Sequence, residues 1–125
     1  MKVRILAAVI LGLFFVVQAT AQHGHKVDPR YGGQAVEAGD YHVELVTKGD
    51  TVEFYLADHD NKALRSAGFK GVAILMVDGK SQRIALEPAG DSKLSGKATG
   101  ALPKTVKGVV QITKPDGKTV QARFN

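Results

Sequence analysis

The sequence predicts a small all-β domain: an antiparallel β-sandwich (Ig-like) or a partly open barrel of about seven strands, preceded by a signal peptide. Three observations carry that reading. Apolar and polar residues alternate with a period of two in several short runs. Gly, Asp and Pro turn signals separate those runs. Beyond the apolar start, no long stretch shows the apolar period of an amphipathic helix.

The chain opens with the three marks of a secretory signal. Lys2 and Arg4 are positive, Ile5 to Val17 carry no charge, and Ala19-Thr20-Ala21 is a small-x-small cleavage site. Residues 1–21 are therefore expected to be removed by a cut after Ala21, with export to the periplasm. The apolar run is shorter than the roughly 20 residues of a spanning helix. No cysteine is present for lipid attachment, so no membrane insertion is expected after processing. Gln22 to Asn125 leaves 104 residues, enough for one small domain. Residues 22–32 have no apolar periodicity and contain Pro29, which predicts a flexible, histidine-containing arm. Residues 33–125 are the single β domain.

In the first hairpin, Tyr41, Val43 and Leu45 alternate with His42, Glu44 and Val46, and Val52, Phe54 and Leu56 alternate with Glu53 and Tyr55. Taking Lys48-Gly49 as the loop sets Tyr41 against Leu56, Val43 against Phe54 and Leu45 against Val52. All large apolar side chains then share one face, a parity that a one-residue slip would destroy. The same register sets His42 opposite Tyr55 and Glu44 opposite Glu53. A second hairpin turns on Asp78-Gly79, and its first strand, the apolar run Val72–Val77, suggests cover on both faces. A short strand around Leu94 follows. The third hairpin turns around Pro115-Asp116-Gly117, with Val120, Ala122 and Phe124 on one face.

Composition excludes several classes of function. Loss of Lys2 and Arg4 lowers the formal charge from +5 to +3, and the remaining basic residues are scattered, so no nucleic-acid partner is expected. Without cysteine there is no disulfide, thiol nucleophile or thiolate metal site. No G-x-S-x-G elbow, phosphate loop or H-E-x-x-H motif occurs, so no enzyme is expected.

The histidines are the sharper signal. Cleavage after Ala21 would expose Gln22-His23-Gly24-His25, whose α-amine and two imidazoles can wrap one borderline ion. The other reading of this pair is a polar arm with no ligand. A terminal copper motif with histidine third would need a cut after Thr20, which leaves Gln18 unfavourably at −3. His42, with Glu44 and the opposed Glu53, is a ligand set for a divalent cation that would relieve carboxylate repulsion. Solvated carboxylates screened by lysines are the competing reading. His59 lies in "ADHDNKA", whose Asp, Asn and Lys are ordinary turn residues, and the calcium-loop spacing fails after Asp60.

"YGGQAVEAGDYHVELVTKGDTVEFYLADHDNKAL", followed by "LEPAGDSKLSGKA", resembles a group of small exported proteobacterial proteins. Their pattern is HGG, an aromatic-His-aromatic-Glu-Leu strand, and a strand ending in a D-x-D-G-K-P turn. It is also similar to the periplasmic domain of heavy-metal efflux adaptor (membrane-fusion) proteins, which bind or hand on Zn, Co, Cd, Cu or Ag. The resemblance spans nearly the whole β domain, through short and degenerate motifs. It implies that His42 and Glu44 hold the family's His and Glu positions. Asp58, Asp60 and Lys62 match the turn, with Asn61 for Gly and Ala63 for Pro. Tyr31 stands where the family has its leading histidine, and His23 or His25 could fold back to replace it.

Together these readings predict a periplasmic, non-catalytic binding module that holds one Cu or Zn ion through His23, His25, His42 and Glu44. An efflux or envelope protein is the expected partner. The alternative is a metal-free protein–protein interaction domain of the cell envelope.

Overall fold

In a computed structural model, residues 27–125 are described; the expected signal segment and cleavage site, His23 and His25 lie outside them. The described chain is all-β. Eight antiparallel strands form one nearly closed, barrel-like sheet. They are β1 (Gln34–Ala38), β2 (Tyr41–Lys48), β3 (Thr51–Asp58), β4 (Lys70–Val77), β5 (Lys80–Pro88), β6 (Lys93–Lys97), β7 (Lys107–Thr113) and β8 (Thr119–Phe124). Their order across the sheet is β1-β2-β3-β6-β5-β4-β7-β8. The end strands β1 and β8 come side by side without a backbone ladder, and the backbone amide of Val106 donates to Gln34 Oε1 (2.9 Å) near this seam.

The two-residue alternation decides what is inside. Val43 and Leu45 of β2, Val52, Phe54 and Leu56 of β3, Ala73 and Leu75 of β4, and Ile84 and Leu86 of β5 are all buried. Val110, Ile112, Ala122 and Phe124 complete the core from β7 and β8. The rings of Phe54 and Phe124 meet with centroids 5.9 Å apart and tilted by 58°, joining β3 to the opposite end of the sheet.

The first hairpin keeps the expected parity but is displaced by two residues. Lys48 pairs with Thr51, so Gly49-Asp50 is the loop, with Gly49 at φ 59°. Val43 then faces Leu56 and Leu45 faces Phe54. His42 lies opposite Ala57 and Glu44 opposite Tyr55, so the expected Glu44–Glu53 opposition does not exist. The second hairpin turns on Asp78-Gly79 as expected, with both residues at positive φ (51° and 76°) as a type I′ turn requires. Its first strand differs from expectation, because among the described residues the apolar run is covered on one face only. Ala73, Leu75 and Val77 point inward, whereas Ile74 and Met76 are 46% and 47% exposed.

The approach of β6 to β5 depends on a missing side chain. β5 and β6 pair only at Glu87–Ser95 and Pro88–Leu94, and just beyond them Gly96 lies against the back of β5. A Cβ at Gly96 would stand 2.4 Å from the Ala85 carbonyl oxygen and 2.6 Å from Ile84 Cγ2. No atom of that kind fits unless the strands part. We expect Gly96→Ala to lower stability by about 1–3 kcal/mol, the usual cost of overpacking. Urea unfolding of the variant beside the parent protein measures this, and an unchanged midpoint would refute this role.

Candidate functional site

The outer face of β2 and β3 carries a second, polar layer, and the chain preceding β1 covers it. Glu44 points outward on β2 and is nonetheless buried. Its carboxylate accepts three backbone amides of the preceding segment: Arg30 N to Oε1 at 2.6 Å, Tyr31 N to Oε2 at 2.8 Å and Gly33 N to Oε2 at 3.0 Å. Charge-assisted bonds to amides are among the stronger hydrogen bonds of a fold. Gly33 permits the approach, since a Cβ there would stand 2.1 Å from the Leu45 carbonyl oxygen. Tyr31 lies flat on Tyr55, ring centroids 3.7 Å apart and planes 14° from parallel. The C-terminal part of the arm is thus docked at Arg30 and Tyr31.

Beside this clamp is an ion-pair network around the buried Glu53. Lys48 Nζ is 3.1 Å from Oε1, Lys93 Nζ is 2.5 Å from Oε2, and the Tyr55 hydroxyl donates to Oε2 at 3.0 Å. Burial by itself raises the Glu53 pKa, but hydrogen bonds from Lys93, Lys48 and Tyr55 together outweigh it and hold the carboxyl below its ordinary value. Lys93 is raised, first by its hydrogen bond to Glu53. Tyr55 is raised too, by burial and then by the same carboxylate.

A small cleft, with room for little more than a water-sized group, opens next to the tyrosine stack. Val27, Asp28, Tyr31, His42, Glu44 and Tyr55 are among its walls. His42 Nε2 is 3.9 Å from Glu37 Oε1, its direct neighbour across the β1–β2 ladder. His42 Nδ1 is buried and has no hydrogen-bond partner among the described residues. His59 is 72% exposed, with Nε2 at 3.5 Å from Asp60, and takes no part in the cleft. Its loop is built as a turn: Asp58 Oδ1 accepts the amides of Asp60 and Lys62, at 3.0 and 2.9 Å. Asn61 sits at φ 64°, a left-handed conformation that asparagine tolerates better than most residues.

Of the residues expected to bind metal, the structure places His42 and Glu44 on the same cleft. Glu44 is already engaged, with three of its roughly four lone-pair sites occupied by amides. Beside the engaged Glu44, the cleft walls offer His42 and Asp28, and Glu37 stands next to His42 outside those walls; they form no close ligand group of the three or four donors a Zn or Cu site uses. No group of three or more His, Cys, Asp or Glu suited to a metal occurs among the described residues. Glu37 was missed because a short "QAVEA" run does not announce a strand; its pairing with β2 makes it the neighbour of His42. In comparisons with protein-family models, curated proteins and solved structures, nothing matches the chain.

Two outcomes follow from the clamp and the network. Glu44→Ala should cost on the order of 2–3 kcal/mol, as expected when hydrogen bonds to a charged group are lost. It should also release the Arg30, Tyr31 and Gly33 amides to hydrogen exchange, while the β3 and β4 amides stay protected. For Glu53, a depressed pKa stabilises the fold above the ordinary value of 4.5, and the contribution disappears as pH falls through the lower folded value. Urea unfolding across this range should show the parent protein losing stability below pH 4.5 more steeply than Glu53→Gln.

Proposed function

We propose that the exported chain is a periplasmic, non-catalytic binding module for heavy-metal handling. It holds one Cu or Zn ion weakly through His42 together with His23 and His25. Glu37, not Glu44, supplies the neighbouring carboxylate. The observation that carries this reading is the course of the arm: Val27 and Asp28 line the same cleft as His42. His25 is two residues before Val27 and His23 four, so extended chain reaches back about 7 and 14 Å respectively. Imidazole donors and a carboxylate suit Zn and Cu(II), and the Glu37 carboxylate near His42 favours a cation there. A site assembled partly from an arm loses ordering entropy on binding, which keeps the affinity low.

Calorimetric titration of the processed, tag-free protein with Cu²⁺ and Zn²⁺ tests the proposal. Binding tighter than about 100 µM, or roughly −5.5 kcal/mol, is expected in the parent protein. His42→Ala and the double variant His23→Ala/His25→Ala should each weaken it by tenfold or more, roughly one ligand's share. Glu44→Gln, which loosens residues 30–33 without removing a proposed ligand, should weaken it less than either histidine change. Affinity should fall on acidification, because protons compete for the imidazole nitrogens. An affinity indifferent to His42 would eliminate this site.

A further inference from the structure

The apolar run of β4 leaves an uncovered stripe on a different part of the barrel from the His42 cleft. On the outer face of β5-β4-β7-β8, Val72, Ile74 and Met76 follow one another along β4, with Ala85 and Val109 on the flanking strands. Ile74 and Met76 are the large aliphatic side chains most exposed among the described residues. The ladder places cations on both sides of this stripe. One cross-strand row reads Arg83, Ile74, Val109, Arg123, and Lys107 is the cross-strand neighbour of Met76. Lys70 stands two residues before Val72 on the same strand. Against these four cations, Glu87 is the one acid on this face of the four strands among the described residues.

The spacing has a definite scale. Three strand intervals separate β5 from β8, so Arg83 and Arg123 stand about 14 Å apart at the backbone. Val72 to Met76 extends about 14 Å along the strand. An α-helix about 10–12 Å across fits between the two arginines with its axis along β4. A complementary helix would carry an aliphatic stripe with Asp or Glu on both borders. Its apolar side chains would cover Val72, Ile74 and Met76, and its carboxylates would meet Arg83 on one side and Arg123 and Lys107 on the other. Arginine suits such borders because its planar fork pairs with a carboxylate through two hydrogen bonds. We infer that this face docks an acidic amphipathic helix of a partner protein. The inference uses no residue of the His42 cleft and stands whether or not the cleft takes a metal.

The test uses the processed protein in metal-free buffer and a synthetic helix of about 18 residues, roughly five turns. The helix carries leucines at i, i+3, i+4 and i+7 with glutamates along both borders. Amide shifts on titration should be confined to β4, β5, β7 and β8, and added salt should weaken binding. Arg83→Glu/Arg123→Glu should reduce affinity about tenfold or more, and Ile74→Asp should abolish it while the far-ultraviolet spectrum is retained. A control helix with lysine borders should not bind. The inference is overturned if the acidic helix produces no shifts, if the shifts map elsewhere, or if both helices bind alike. It is equally overturned if this face binds anionic phosphatidylglycerol vesicles in preference to the helix, or if sedimentation shows it occupied by a second copy of the chain.

Discussion

A single sheet that curls on itself must fill its interior from one face, and here no disulfide assists. The chain has no cysteine, so the inward residues of eight strands carry the fold. Phe54 meets Phe124 across the interior, linking β3 to β8, which are far apart in the strand order. Gly96 makes the complementary concession, vacating the volume that the β5 backbone needs. With inward positions committed to packing, ligands and partners are left to the outer face and the chain that crosses it.

That outer face is treated in two ways. Over β2 and β3 it is roofed: Glu44 gathers three amides of residues 30–33, Tyr31 stacks on Tyr55, and Glu53 draws in Lys48 and Lys93. Two buried carboxylates on neighbouring strands would repel if both faced each other unpaired. The register separates them, and each is compensated differently, Glu44 by backbone dipoles and Glu53 by cations. Over β4 and β7 no chain among the described residues lies on the sheet, and apolar side chains stay exposed between arginines. An amphipathic cover of the same kind, supplied from outside, would complete that side as residues 30–33 complete the other.

The inside of the fold was legible because burial acts through a two-residue period. Val43, Leu45, Val52, Phe54 and Leu56 fall on the buried face whichever loop is chosen, provided the shift is even. Choosing Lys48-Gly49 over Gly49-Asp50 therefore left the core intact and displaced the outer pairs by one rung, which created a false Glu44–Glu53 opposition. Strand β1 escaped notice for want of length and strong alternation, and Glu37 was lost with it. The role of Glu44 was not legible at all. Its partners are main-chain amides, which every residue possesses and no side-chain pattern marks. The run Val72–Val77 was read by composition as covered on both faces, and composition cannot say whether a cover belongs to the same chain.

The clamp on Glu44 also bears on how the residues before Val27 could act with the barrel in the proposed site. Histidines on a long free segment have a low effective concentration near any one point of the surface. With Arg30 and Tyr31 held by Glu44 and Val27 in the cleft wall, only Lys26 separates His25 from residues placed at the cleft, and in the proposed site this short spacing would raise that concentration. In the site proposed above, Glu44 would serve as the anchor of residues 30–33 and not as a ligand. A carboxylate at this position and a histidine two residues earlier on the same strand would then divide the work: Glu44 holds residues 30–33 in place, and His42 would be the donor on the barrel.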